Sequence, residues 1–377
     1  MRADVIVVGL GSMGAAAAYH LAAQGVRVVG VDRFAPPHEQ GAHGGGSRII
    51  RMAYMEGAEY VPLVRRSYEL WRALELMAGE TVLTTTGGLM LGRPESEAVA
   101  GALSAAQAHG LAHELLDAVE VRRRFPVFTP ADDEVGLFEE IAGLLRPEQA
   151  IAAHLRLAAG AGADLRIALA VEDWSATEDG VTVTTAAGDL HADRLVLAPG
   201  AWAPALTRLP VPLRVQRRVQ HYWRAADGTS FEPGRFPVWI WEYGPGKAAY
   251  GLPAVGGAVK ASLHHGDEAV DPDAGAAPAR EEEISAMRAW LTPRLPALAA
   301  GDWLGSKPCL YTLTPDEHFV LGLHPAHPNV AVACGFSGHG FKFAPVVGEI
   351  LADLMTKGST PHPIGLFDPA RSFVDLG

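Results

Sequence analysis

The chain opens on an almost uninterrupted apolar run. Residues 5–8 (VIVV) lead straight into a glycine turn, which predicts a short strand buried on both faces, as in a parallel sheet. Residues 12–24 are alanine-rich and stop at Gly25, predicting a helix. Residues 26–31 predict a second strand, ending at Asp32. Strand, helix and strand together make a βαβ unit, which requires a right-handed crossover. Two more apolar runs have the same character. Residues 195–198 enter the turn Pro199-Gly200, and residues 330–334 precede a glycine-rich turn and a helix over about 344–355. One nucleotide-binding sheet is therefore expected to draw strands from both ends of the chain.

The middle reads differently. Residues 236–243 are aromatic, and residues 248–262 alternate around Gly251, Pro253, Gly256 and Gly257, as antiparallel strands do. Residues 270–278 read as a loop and 281–291 as a helix. The expected result is a second, largely antiparallel sheet built from insertions. Trp239 and Trp241 fall on one face of a strand and read as core packing. No internal repeat is present.

Residues 5–23 are apolar enough to be weighed as a signal peptide or membrane span. Asp4 behind Arg2, Gly9, Gly11, Gly14 and His20 are poor material for a lipid helix, so a soluble, cytoplasmic protein is expected, with no membrane partner. A length of 377 residues favours two or three domains, and 49% hydrophobic with 20% charged residues is ordinary globular composition. The net charge of −12 argues against nucleic acid, and the run Arg122, Arg123, Arg124 reads as a solvated helix surface. Cys309 and Cys334 do not make a disulfide framework, which fits an intracellular chain. No metal site is assigned. Only five of the 31 cationic residues are lysines, so each lysine's surroundings carry weight.

Gly9, Gly11 and Gly14 form GxGxxG around Ser12 and Met13, between the first strand and helix. Such glycines permit the tight turn, the approach of a pyrophosphate and close helix–strand packing, while Asp32 is placed to accept from a ribose. With 42 glycines in the chain the spacing alone is weak; the flanking strand, helix and acid strengthen it. Arg33 raises the question of a 2′-phosphate, which the Asp32 carboxylate would repel. The fingerprint does not separate FAD from NAD. Gly335, Gly338 and Gly340, between the later strand and helix, make a second nest, for which a long flavin cofactor has use. Arg48 and Arg51, three apart in GGGSRIIRMAY, would share a face on a helical turn and suit a carboxylate clamp; a solvated arginine pair is the plain alternative.

The segments KPCLYTLTPDEHF and GFSGHGFKF, with VIVVGLGSMG and SRIIRMAY, resemble the monomeric sarcosine oxidase and N-methyltryptophan oxidase family of the D-amino-acid-oxidase-class flavoproteins, over nearly the whole chain. The resemblance implies an α/β (α+β overall) fold: a Rossmann-like FAD-binding domain with a parallel sheet, interleaved with a largely antiparallel substrate domain. Residues 1–85, 145–215 and 317–377 would form the former, and 86–144 and 216–316 the latter.

It also implies site residues. The catalytic set would be Lys260, Arg48, Arg51, Lys342, Tyr250, His264 and Tyr311. Cofactor contacts would be Gly9, Gly11, Ser12, Met13, Gly14, Asp32, Arg33, His43, Ser47, Arg48, Val171, Gly200, Cys309, Gly338, Gly340 and Lys342. Arg51 and Lys342 would hold the substrate carboxylate, and Arg48 would lie at the flavin ring. Lys260 would sit over the flavin face, where oxygen is reduced. Tyr250, His264 and Tyr311 would surround the amine. A lone cysteine is most often a small buried hydrophobe. By resemblance Cys309 is instead the attachment site, its thiolate adding at the flavin's 8α-methyl carbon to leave a thioether.

The implied activity is FAD-dependent oxidation of a secondary amino acid such as sarcosine by O2. Formaldehyde, the primary amino acid and H2O2 would form, with the protein acting as a monomer. Cyclic imino acids (proline, pipecolate), N-methyltryptophan-like substrates, a dehydrogenase and a non-catalytic flavin subunit are the rivals. Paired lysines and paired arginines argue against a silent subunit. One segment departs from the family: AHGGGSR stands where members carry SHHGDTR. His43 is kept, Gly44 replaces the second histidine and Gly46 the acid, which leaves more room near the ring.

Overall fold

The computed structural model describes residues 3–264, 266 and 268–373; the outermost residues of the expected cofactor segments, 1–2 and 374–377, lie outside it. Five parallel strands form the centre of the first sheet. In spatial order they are His327–Cys334, Gly188–Leu197, Ala3–Val8, Val28–Val31 and Asp164–Arg166. The hairpin Val171–Thr177 and Gly180–Thr185 extends it antiparallel, as does Val320–His324 on His327–Cys334. Alternation explains the apolar runs. Val5 and Val7 enter the core beneath the helices Ser12–Ala23, Pro147–Gly160 and Ala344–Lys357, while Ile6 and Val8 enter a second core on the opposite face. Both faces are covered, so neither can be polar. The final helix stops at Gly358, which takes the left-handed conformation at φ +75°.

The second sheet runs Asp302–Leu313, Arg214–Arg224, Ala258–Leu263, Lys247–Val255, Val238–Gly244, Gly88–Gly92, Val135–Glu139 and Glu114–Asp117. Its pairings are antiparallel except that of Val238–Gly244 with Gly88–Gly92. All its strands come from residues 88–139 and 214–313, whereas the first sheet draws on 3–31, 164–197 and 320–334. One face buries Trp223, Trp239, Trp241 and Ala261 in an aromatic core, with Trp239 stacked on Trp290 at 5.6 Å. Gly251 is required there: a Cβ would come within 2.5 Å of the Trp239 ring. The tryptophans are core, as their spacing predicted. The opposite face therefore presents Ile240, Tyr250, Lys260, Tyr222, Gln220, Cys309 and Tyr311 toward the first sheet's side of the molecule.

One local expectation is corrected. Arg48–Ile50 is a strand, paired antiparallel with Gly143–Leu145, and not a helical turn. Two successive β-branched residues favour that pairing. Arg51 lies just beyond the strand's end, so the two arginines do not share the face of a helical turn. Arg122, Arg123 and Arg124 lie on the helix Ala118–Arg124 and pair with Asp132, Glu120 and Glu114 at the surface.

Candidate active site

A cavity of about 340 Å³ runs along the carboxyl ends of the parallel strands. Gly9 adopts φ +87°, and a Cβ there would stand 2.4 Å from the Ala198 carbonyl. Gly14 packs so tightly that its Cβ would meet the Gly9 carbonyl at 1.7 Å. The helix Ser12–Ala23 begins with no side-chain cap, leaving its first N–H groups to a ligand's phosphates. Asp32 accepts from the backbone N–H of Leu10 (2.7 Å) and Phe34 (2.8 Å), one on each carboxylate oxygen. A second lone pair on each oxygen remains for ribose hydroxyls.

The buried His43 presents an Nε2 with no partner, and burial pushes its pKa down to about 3, so the ring is neutral. Gly335 and Gly338 take φ +62° and +84°, and a Cβ on Gly338 would strike the Tyr311 ring at 2.1 Å. Glycine cradles at both ends and an orphan buried nitrogen fit a long dinucleotide such as FAD. Gly11, Ser12, Met13, Val171, Gly200 and Gly340 also line this cavity. Arg33 lines it too, but its guanidinium is paired with Asp273 (2.6 Å) and lies over Trp202, at the rim. Gly14, Ser47 and Lys260 stand behind the walls rather than on them.

A second cavity of about 80 Å³ adjoins the first, sharing Arg48, Tyr311, Gly338 and Phe341 as walls. Arg51, Lys342, Tyr250, His264 and Cys309 line it. Arg51 is fully buried: Nη1 donates to the Ala53 carbonyl (3.0 Å), Nη2 pairs with Glu56 (2.5 Å), and Nε has no partner. Burial alone would raise the Glu56 carboxyl, yet the Arg51 charge holds it at about 2. The buried carboxylate of Glu139 accepts from Met52 N and Ala53 N, both at 2.8 Å, fixing the turn that presents Arg51.

Lys342 donates to the His339 carbonyl (2.6 Å) and to the Tyr54 hydroxyl (3.4 Å). His339 Nε2 lies 3.0 Å from the Glu317 carbonyl, which can only accept, so Nε2 carries the proton and Nδ1 accepts from Tyr54 at 2.6 Å. Burial pushes Lys342 down to about 7, with the Arg51 charge adding to the effect. The Tyr250 hydroxyl is pushed up to about 12 by burial, and that of Tyr311 well above its usual range. Both remain protonated donors at neutral pH. The His264 ring lies 6.0 Å from Tyr250 and 5.6 Å from Tyr311.

Arg48 serves differently. It donates to the carbonyls of Ser47 (2.7 Å), Ala42 (2.6 Å) and Gly44 (2.7 Å) and to Gln220 Oε1 (3.2 Å). Both of its Nη atoms brace the glycine-rich loop, which takes them away from a clamp shared with Arg51. Lys260 is buried opposite Tyr222 and donates to the Ser47 carbonyl at 2.7 Å. Cys334 lies in the core, with its thiol pushed up to about 12 by burial.

Sequence reasoning did not single out Glu56, Tyr54, Glu139, Gln220 or His339. Tyr54, the last residue of SRIIRMAY, His339, inside GHGFK, and Glu56, five residues past Arg51, lay close enough to a recognised motif to be found.

The family model for FAD-dependent oxidoreductases, DAO, matches residues 4–354. The chain is 48% identical to the monomeric sarcosine oxidase of Streptomyces avermitilis, over 98% of this chain and 97% of that protein. It is 37% identical to the N-methyl-L-tryptophan oxidase of Salmonella agona, over 96% of each. Among solved structures, the open form of NikD, an amino acid oxidase of nikkomycin biosynthesis, superposes with TM-score 0.85 at 26% identity, covering 100% of this chain and 99% of that one.

Proposed function

The chain belongs to the DAO family of FAD-dependent oxidoreductases, and from that premise we propose how its residues divide the work. It is a flavin-dependent oxidase of N-methyl amino acids, acting on a CH–NH donor with oxygen as acceptor. FAD, held by the glycine cradles, Asp32 and His43, would supply the redox chemistry by which O2 oxidises the N-methyl amine, and hydrolysis of the product imine would leave formaldehyde and the primary amino acid. One observation carries the reading. A small cavity bounded by two buried cations, Arg51 and Lys342, abuts a dinucleotide-shaped one through shared walls. The orphan Nε of Arg51 and the Lys342 ammonium hold the substrate carboxylate. Tyr250, His264 and Tyr311 surround the amine and keep water from it. Sarcosine is the first candidate substrate, by the likeness to a monomeric sarcosine oxidase at 48% identity.

Lys260 serves the reaction with oxygen, and Cys309 carries the flavin as an 8α thioether. The sheet membership described above supports a discontinuous cofactor domain (residues 1–85, 145–215 and 317–377) and a substrate domain (86–144 and 216–316). The enzyme works as a monomer, as its relatives' names state of them, in the cytoplasm; no helix among the described residues is long and apolar enough to cross a membrane. Anaerobic addition of sarcosine should bleach the flavin bands, and air should restore them with release of peroxide. Bands unchanged by sarcosine, cyclic imino acids and N-methyltryptophan alike would refute it.

Two expected results follow from the assigned roles. Acid precipitation should leave the yellow colour with wild-type protein, and Cys309→Ser should release it to the supernatant. An unmodified intact mass in a fully yellow wild-type sample would end the attachment assignment. The second concerns pH. Lys342 is cationic in the free enzyme below about 7 and neutral above it, and a bound carboxylate favours the cation. The dissociation constant of propionate, a carboxylate without an amine, should therefore be flat in acid. Above about pH 7 it should rise by up to about tenfold per pH unit. In Lys342→Met it should be weak and flat; a wild-type profile without the rise would exclude Lys342 as a ligand.

A further inference from the structure

We propose that Gln220 is a positioning residue for flavin attachment: its side-chain amide holds the Cys309 sulfur and the Arg48 guanidinium in one arrangement on the wall of the small cavity. The inference rests on the reading that Cys309 carries the flavin. In the antiparallel register Arg218 lies opposite Cys309 and Gln220 opposite Lys307. Gln220 is thus the diagonal neighbour of Cys309 on the same sheet face, within side-chain reach. Both line the small cavity beside Arg48.

The amide's orientation is settled by its partners. Arg48 can only donate, so the atom 3.2 Å from its Nη1 is Oε1. The Gly44 carbonyl can only accept, so the atom 3.2 Å from it is Nε2. That leaves one amide hydrogen for the Cys309 sulfur, the diagonal neighbour on the same sheet face and a fellow wall of the small cavity. Gln220 is 1% exposed, so its amide needs partners of this kind at both ends. The loop is cut to receive it: a Cβ on Gly45 would stand 2.4 Å from Gln220 Oε1, and φ there is +103°. This amide joins sulfur, guanidinium and loop where Gly44 leaves the chain without a side chain.

Attachment breaks the thiol S–H and one 8α C–H bond and forms a C–S bond. The two hydrogens, with one electron pair, pass to the flavin ring, and O2, the acceptor of the enzyme's own reaction, removes them as H2O2. The attacking species is the thiolate, so whatever favours it speeds the step. Burial raises the Cys309 thiol, and the Arg48 charge followed by the Gln220 hydrogen bond opposes that rise.

The test compares full-length wild type, Gln220→Leu and Gln220→Glu during timed incubation with FAD in air. Total bound flavin is read on the native protein and attached flavin after acid precipitation, each across pH. Gln220→Leu should bind as much flavin but attach it about tenfold more slowly. The midpoint of its rate–pH profile should move upward, which a merely structural role would not cause. Gln220→Glu keeps the shape and the Arg48 bond if the leucine variant does not fold. Its carboxylate beside the sulfur should slow attachment further and shift the midpoint the same way. Wild-type protein with no attached flavin would overturn the Cys309 reading and this inference with it. Wild-type attachment with variants matching it in rate and midpoint would overturn the Gln220 role alone.

Discussion

Lys260→Met should slow reoxidation of the reduced enzyme by about two to three orders of magnitude, while anaerobic reduction by substrate changes far less. Reduction of oxygen passes through superoxide, whose charge appears all at once. A unit charge about 4 Å from an ammonium gains about 4 kcal/mol at an effective dielectric of about 20, close to a thousandfold in rate. Lys260 meets the requirement of a dry, fixed cation. It is 2% exposed, one proton is engaged by the Ser47 carbonyl, and no second acceptor is bonded to it among the described residues. Burial, then the Arg48 charge, drives its pKa well below that of an ordinary lysine. The wild-type reoxidation rate should therefore fall as pH rises and the ammonium is lost, and that dependence should vanish in the methionine variant. The competing role is a brace for the loop through Ser47. A brace would disturb flavin attachment and substrate reduction as much as reoxidation. Stopped-flow measurement of the two half-reactions separates the roles; reoxidation near wild type would remove Lys260 from the oxygen step.

Much of this architecture is legible in the chain because its signals are local. The helix expected over 281–291 is Glu281–Leu291, since an acidic first turn and an amphipathic stripe need no distant partner. Residues 5–8 read as a doubly buried strand because both their neighbours in the sheet are covered. The family resemblance pointed to Lys260 and Lys342, and both are buried beside the cavities. Where the reading erred, the deciding contact was remote. RIIR is too short to distinguish helix from strand, and only its pairing with Gly143–Leu145 settles it. Glu139 caps the Met52–Ala53 turn from 87 residues away, and Gln220 reaches Gly44 across 176. A buried polar group whose partners are remote in sequence carries no periodicity to betray it.

Arg51→Ala should weaken sarcosine binding by more than one lost hydrogen bond. A charge-assisted bond contributes about 1.5–3 kcal/mol, or roughly ten- to a hundredfold. Glu56 adds to this. Its carboxyl, which burial would raise, is held at about 2 by Arg51, and without that cation it moves upward. While ionised it faces the incoming carboxylate without the Arg51 counter-charge, so repulsion adds to the lost bond. The expected order of sarcosine dissociation constants is wild type, then Arg51→Ala with Glu56→Gln, then Arg51→Ala alone. A single variant that binds better than the double would show that Glu56 does not face the substrate. Selectivity gives the complementary reading. Wild type should prefer sarcosine to dimethylamine by orders of magnitude in kcat/KM, because only the former engages Arg51 Nε and Lys342. In Arg51→Ala that preference should collapse through KM for sarcosine, with dimethylamine turnover little changed. Equal turnover of the two amines by the wild-type enzyme would mean that no carboxylate is held at this site, whatever the variants do.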